Sequence, residues 1–359
     1  MAILEQFKVP DDMAERVDAD GLLQTSAELL ERAGLDAEDA RLAADVLVCA
    51  DLRGADSHGV SNKLRQYIAD LRSGHLNPKP NMRVIRQTAS CATLDADQGM
   101  GIVIAPKAMQ IAIEKGKQTG AGLVSVANGR HLGMAAYHAM MALEHDMIGQ
   151  CMSACGPRVA PTFSAEAGVG TNPIAVAAPA AQMPPFVFDA ATSVVAANKI
   201  GLARRLQIPL EPGWVTLDGR PQMDPIPVPE QYLLLPAGST RMLGSHKGYS
   251  LAMVVDILAG VLNGSPVGPL AIRGKNNHFL AAYDIEAFID VDEFKRGMDA
   301  YLQSLCALKP APDQTQVIYA GLQGHAEQTR RKAEGIPLHP EVIGWFRQAC
   351  DELGVSYRL

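Results

Sequence analysis

The chain has 359 residues, of which 48% are hydrophobic, and a formal net charge of −7. That length exceeds one ordinary core and points to two domains, and the hydrophobic fraction excludes a disordered or fibrous chain. An acidic balance without any Lys/Arg run argues against nucleic acid or an anionic membrane as partner, so an anionic substrate needs a local cluster of cations.

The first twenty residues show no basic segment followed by an apolar one, so no secretory leader is expected and the chain reads as cytoplasmic. Two helices are predicted over 20–52. The first carries Leu22, Leu23, Leu29 and Leu30 and stops at Gly34. The second opens on Asp36 as N-cap, repeats Leu42, Val46, Leu47 and Ala50 at helical spacing, and stops at Gly54. LRGADSHGVSNKLRQY (52–67) then crowds Arg53, Asp56, Ser57, His58, Lys63, Arg65 and Tyr67 together. A solvated helix end is the plain explanation. The sharper one is a site that holds an anion and hands it a proton.

A further helix is predicted over 61–74, and HLNPKPNMRV (75–84) has the Pro and Asn content of a domain link. ATLDAD (92–97), a helix within 98–120 and AGLVSVAN (121–128) form a βαβ-like pattern. Short strands follow at 147–154, 173–179 and 185–193, then a long helix over 248–264 and the segment 277–289. Helices are predicted again at 291–308 and 339–353. The longest apolar window, YSLAMVVDILAGVL, is too short for a bilayer and contains Asp256. The six cysteines read as reduced thiols. Cys151 and Cys155 lack a second ligand pair at zinc spacing, so no metal is expected.

Gly99-Met100-Gly101 resembles the start of a Rossmann fingerprint, but the next strand ends in Asn128 rather than an acidic residue. A tight strand-to-helix turn is the better reading. Ser245, His246, Lys247 and Gly248 open a well-patterned helix, where unpaired N–H groups and a lysine suit a phosphate; a capped helix with a solvated lysine is the alternative. His131 follows a strand beside two glycines, which suits proton transfer or an amide contact, whereas His138 reads as structural. Thr171, Asn172, Asp189, Thr192 and Ser193 lie in strand-edge loops and read as turn residues within reach of a ligand.

ADLRGADSHGV, GRHLGMAAYH, GTNPIAVAAP, FDAATSVVAANKI, HKGYSLAM and the late AGLQ…EGIPL run in one order over nearly the whole chain. In these elements the sequence resembles the type 2 malate/L-lactate dehydrogenase family, which includes ureidoglycolate and sulfolactate dehydrogenases, diketogulonate reductase and piperideine-2-carboxylate reductase. The resemblance implies an α/β fold with a non-Rossmann NAD(P)-binding domain on a mixed sheet (80–308). It implies a helical substrate and dimerisation domain from both chain ends (1–79 with 309–359). It further implies a homodimer, NAD or NADP as cofactor, and a small 2-oxo or 2-hydroxy acid as substrate. His58 then resembles the proton donor, Ser57 its partner, and His131 the second site histidine; some members assign the acid/base role to the latter, so the two roles stay open. His131, Leu132, Gly133, the stretch Pro185, Phe186, Val187, Phe188, Asp189, Ala190 and Ala191, then His246, Lys247, Gly321, Leu322 and Gln323 resemble cofactor contacts. Thr171 resembles a substrate contact.

Two departures bear on substrate. Many members place arginine five residues after the serine and tyrosine four later; here Asn62 stands there and Tyr67 comes one residue late. Arg65 is therefore the expected carboxylate partner, with Lys63 behind it. Members that reduce cyclic imines carry aspartate near position 199, where this chain has Lys199, which favours a 2-oxo acid. A cyclic-imine reductase and, further off, a non-catalytic ligand-binding relative are the competing readings.

Overall fold

The computed structural model describes residues 8–359. Residues 1–7, where the expectation about a leader begins, lie outside the described residues. The order is β1 (Glu15–Val17), α1 (Ala19–Arg32), α2 (Ala37–Leu52), α3 (Val60–Arg72), β2 (Arg83–Gln87), β3 (Cys91–Asp95), α4 (Gly101–Thr119), β4 (Ala121–Gly129), α5 (Ala135–Met140), β5 (Met147–Ala154), β6 (Ile174–Ala178) and β7 (Phe186–Ala190). It continues with α6 (Ala197–Leu206), β8 (Val215–Leu217), β9 (Arg220–Pro221), β10 (Leu233–Leu234), α7 (Ser245–Ala259), β11 (Asn276–Asp284), α8 (Val291–Cys306), α9 (Leu322–Glu334), β12 (Ile336–Leu338) and α10 (Pro340–Leu353).

The main sheet has seven strands in the order β2-β3-β4-β11-β5-β6-β7. β3 and β4 run parallel across α4, as the βαβ pattern requires. The other pairings are antiparallel, so this is a mixed sheet and not a doubly wound parallel one. Alternate residues face opposite ways. Val124, Val126, Leu280 and Ala282 pack under α4 and α5. Leu123, Phe279 and Ala281 pack under α7 on the other face.

A separate core draws on both ends of the chain. Leu22, Leu29, Leu30, Leu47 and Leu64 meet Ile336, Ile343 and Phe346 there, all buried. β1 pairs with β12, tying Val17 to Ile336. Asp36 caps α2 by accepting the Asp39 N–H at 2.9 Å. α6, α9 and the small β10-β8-β9 sheet were not foreseen from the sequence. Among the described residues, no helix is long and apolar enough to cross a membrane.

Two fully buried histidines interrupt the apolar interior. His278 on β11 donates from Nε2 to the Arg130 carbonyl and accepts at Nδ1 from the Ser153 hydroxyl, each at 3.0 Å. His138 on α5 donates from Nε2 to the Leu132 carbonyl at 2.7 Å, and its Nδ1, left as an acceptor, has no donor partner among the described residues. Burial lowers their pKa values to about 3 and about 4. The unfolded chain takes up these protons near pH 6.5, so it binds more protons than the fold between there and the lowered values. Stability is therefore kept above pH 6.5 and lost as the pH falls toward 4. The melting temperature is expected to drop over that window, and His278→Gln to flatten the slope by at most about 1.4 kcal/mol per pH unit. An unchanged slope in the variant would remove His278 from the acid response.

Candidate functional site

The C-terminal ends of β4, β5 and β7 and the N-terminal ends of β6 and β11 reach one end of the sheet. There the helical core meets the sheet, and a cleft of about 1580 Å³ opens between them. Its chemical end is built by a turn and a strand exit.

The turn follows α2. A short 3-10 turn covers Asp56–His58, Gly59 is extended, and α3 begins at Val60. Asp51, fully buried, accepts the Val60 N–H at 2.8 Å and so caps α3. A Cβ on Gly59 would stand 1.9 Å from that carboxylate, so only glycine fits there. Burial, with Asp56 close by, raises the Asp51 carboxyl well above its usual range. Arg331 of α9, 1% exposed, reaches in from the far end of the sequence. It donates to Asp56 and to the Asp51 carbonyl, both at 2.6 Å, and to Glu327 at 3.1 Å. Asn198 donates to the Ser57 carbonyl at 3.0 Å.

The strand exit carries His131. Its neighbours on both sides are held by the carbonyl contacts of His278 and His138 described above. Gly101, first residue of α4, packs against it so closely that a Cβ would lie 2.1 Å from the Arg130 oxygen. Close packing, of Gly101 here and of Gly99 where a Cβ would stand 2.7 Å from the Pro80 side chain, requires small residues at both positions of the glycine pair.

The rings of His58 and His131 stack, 5.8 Å between centroids and 9° from parallel. His58 Nδ1 lies 2.9 Å from Ser57 Oγ. His131 Nδ1 accepts from the Gly133 N–H at 3.2 Å and from the Tyr67 hydroxyl at 2.7 Å. A backbone N–H can only donate, so the His131 proton sits on Nε2. Burial raises the Tyr67 hydroxyl far above its usual pKa, so it stays a donor. Burial, then Lys63 and Lys199, lowers His58 to about 4. Burial, then Lys63, His58, His278 and Arg158, holds His131 well below its usual value. Lys63 itself falls to about 8 through burial and the charge of Arg158. At neutral pH the chemical end thus holds two uncharged imidazoles among cations.

Of the residues singled out in the sequence, Ser57, His58, Lys63, His131, Leu132, Gly133 and Thr171 line the cleft, as do Val187, Phe188, Asp189, Ala190, Ala191, Gly321 and Gln323. Arg65 does not. It is 69% exposed and faces Glu341 at 4.0 Å. The reason is helical period: α3 starts only at Val60, and two residues rotate Arg65 about 200° from Lys63, whereas Tyr67 and Asp70 share the Lys63 face. The extra residue before Tyr67 is absorbed in the same way, with Lys63 pointing inward in place of an arginine. His246 and Lys247 also lie outside the cleft wall, at the start of α7 on the sheet face away from α4 and α5. Gly248 is small for a different reason than a ligand, because a Cβ there would meet the Ala237 backbone at 2.5 Å. Pro185, Phe186 and Leu322 flank the wall without forming it. Asp51, Arg158, Asn198 and Arg331 were not picked out as site residues. Nothing in local spacing marks them, since each acts through a tertiary contact.

The wall fits a nicotinamide dinucleotide. The volume exceeds what a small acid alone fills. Gln323 Oε1 is buried in it without a hydrogen-bond partner. Gly321, at φ 102°, brings backbone so near β7 that a Cβ would stand 2.7 Å from the Val187 nitrogen. Asp189, raised to about 6 by burial, accepts the Ala136 N–H at 2.8 Å and so fixes the wall beside Ala190 and Ala191.

Comparison with known proteins agrees with this arrangement. Residues 17–346 match the family model described as malate/L-lactate dehydrogenase. A malate dehydrogenase of Pyrococcus horikoshii is 38% identical over 353 residues, covering 96% of this chain and 98% of that protein. An L-sulfolactate dehydrogenase of Methanocaldococcus jannaschii is 33% identical, covering 92% of this chain and 94% of its own length. The crystal structure of malate dehydrogenase from Entamoeba histolytica superposes with a TM-score of 0.90 at 29% identity, covering 96% of this chain and 99% of that one. The chain belongs to the malate/L-lactate dehydrogenase family and is an oxidoreductase that works with a nicotinamide cofactor.

Proposed function

We propose that the chain interconverts a 2-hydroxy acid and its 2-oxo acid with NAD or NADP, and that His58 carries the proton. The observation that carries this reading is the facing pair of His58 and His131 beside Lys63, at one end of a dinucleotide-sized cleft. The nicotinamide gives or takes the hydride. His58 handles the proton because its Nδ1 faces the Ser57 hydroxyl oxygen, which accepts the Nδ1–H of both the neutral and the charged ring and leaves the Nε2 lone pair to take the substrate's proton and Nε2–H to return it. Its Nε2 is then available to the substrate oxygen in either state. His131 is fixed with Nε2–H and supports the reaction as a donor to that oxygen, as an oxyanion-hole group does. Lys63 holds the carboxylate. Lys199 on the same wall favours a 2-oxo acid over a cyclic imine, since a protonated imine would be repelled. In the same reading the helical unit is 1–79 with 309–359 and the cofactor unit 80–308. The six free thiols agree with a cytoplasmic setting.

We also take the molecule to be a homodimer through α7. Leu251, Met253, Val254, Ile257, Val261 and Leu262 are 41–60% exposed along that helix and its continuation. A contiguous apolar stripe of this kind on a soluble chain marks an interface.

His58→Asn is expected to lower turnover by about 10²–10⁴-fold, the usual worth of a general acid. The cofactor dissociation constant, followed by NADH fluorescence, should stay within about twofold of wild type. In oxidation His58 must be neutral, so activity falls as the pH drops through its pKa. That limb is set near 4 in the free enzyme, and a bound anion raises it, so the acid limb of kcat should lie above that of kcat/KM. His131→Asn should slow turnover and keep both limbs. Should His58→Asn keep more than about a tenth of the rate while His131→Asn abolishes the limb, the two roles are exchanged. For the assembly, Ile257→Asp is expected to halve the mass seen by light scattering; a wild-type monomer, or an unchanged dimer in the variant, removes the α7 face as the interface.

A further inference from the structure

The chemical end of the cleft has more positive charge than one carboxylate uses. Lys63 is 9% exposed, and Arg158 sits in the loop after β5, more open to solvent. Both line the same cleft. Neither side chain makes an ion pair or hydrogen bond with another described residue. Asp70, one helical step beyond Tyr67, is the carboxylate facing Lys63, and it lies on the same wall. Every charged group acting on the two site histidines is a cation or another histidine. Two like charges held in one partly dry site repel each other, and an anion placed between them relieves both.

The backbone of Arg158 is pinned where its side chain is not. Its N–H donates to the Val169 carbonyl at 2.9 Å, and its carbonyl accepts from Leu234 at 3.0 Å. The root of this guanidinium is thus fixed on the cleft wall. Lys63 stands deeper, on the helix face that carries Tyr67 and hence next to His131. A 2-oxo acid must place its carbonyl at the histidines, which puts the adjoining carboxylate at Lys63. Whatever extends from the other side of the carbonyl stays in the cleft that Arg158 also lines, near enough for the Arg158 charge to act on both Lys63 and His131. A planar guanidinium fork there matches a second carboxylate or a sulfonate.

We propose that Arg158 is a specificity-determining residue, which binds a second anionic group on the substrate and makes this chain select dianionic 2-oxo acids over monoanionic ones of the same length. This rests on the reading that the cleft turns over 2-oxo acids. Oxaloacetate and 2-oxobutyrate have equal carbon number and differ in that group, so they form the test pair. Wild type is expected to prefer oxaloacetate. Arg158→Gln should lose about tenfold or more in kcat/KM for oxaloacetate, chiefly through KM, and stay within about twofold for 2-oxobutyrate. Arg158→Lys should recover part of the loss. Equal losses on both substrates, a wild type that does not discriminate, or a weakened NADH affinity in Arg158→Gln would each overturn the assignment, the last by giving Arg158 to a cofactor phosphate.

A second readout needs no turnover. Malonate should raise the melting temperature of the cofactor-free wild type more than acetate does, and Arg158→Gln should lose the difference. No such difference in wild type refutes the proposal. Malonate stabilisation that depends on Arg158, in a protein that reduces neither 2-oxo acid, supports the dianion site and refutes the proposed reaction instead.

Discussion

A single buried guanidinium holds the turn of Ser57 and His58 in place. Arg331 lies on a helix more than two hundred residues downstream of His58 and is almost wholly enclosed. Its contacts to Asp56 and to the Asp51 carbonyl fix both ends of the segment that presents Ser57 and His58. Removing one partner of such a buried pair costs about 3–5 kcal/mol, because the remaining charge is stranded. Asp51 completes the lock from below by capping α3 and filling the space that Gly59 leaves. The position of Lys63, and with it Tyr67 and its bond to His131, follows from where that cap starts the helix.

The second organising fact is electrical. Desolvation keeps both site histidines neutral, and the cations around them add to the effect. A neutral imidazole is a ready base and a poor acid at pH 7. In the proposed reduction the substrate's negative charge offsets the cations and draws a proton onto the ring. Binding and acid strength are coupled in such a site, and an uncharged ketone would gain neither attraction nor a charged histidine.

Much of this was legible in the sequence, and the part that was not has a common cause. Helix boundaries, the βαβ unit and the Ser57–His58 pair were readable because caps, glycines and periodicity are local signals. Arg65 lies off the cleft wall because the expectation carried helical spacing back through Gly59, where the chain is extended. Lys247 does open a helix, as the rule about helix N-termini expects, and that rule is silent on which side of a sheet the helix covers. Arg331 was invisible. Its neighbour Arg330, an equally basic residue in the same helix, pairs with Glu327 and Glu334 at the surface, and only the packed partner distinguishes the two. The domain partition between chain ends and middle rests on resemblance, and the shared core of Leu47, Leu64, Ile336 and Phe346 is consistent with it.

The pairing of β1 with β12 and the reach of Arg331 to Asp56 have a bearing on how the molecule is made. Synthesis runs from the N-terminus, so the turn with His58 leaves the ribosome long before α9 exists. Until then Asp51 and Asp56, two carboxylates that repel each other, have no guanidinium between them, and the apolar faces of α1, α2 and α3 have no C-terminal helix to cover them. Closing a contact across 275 residues costs more chain entropy than any local one and slows folding. A nascent chain truncated before residue 331 thus has His58 without its lock, and the turn that carries it is completed only with the last helices.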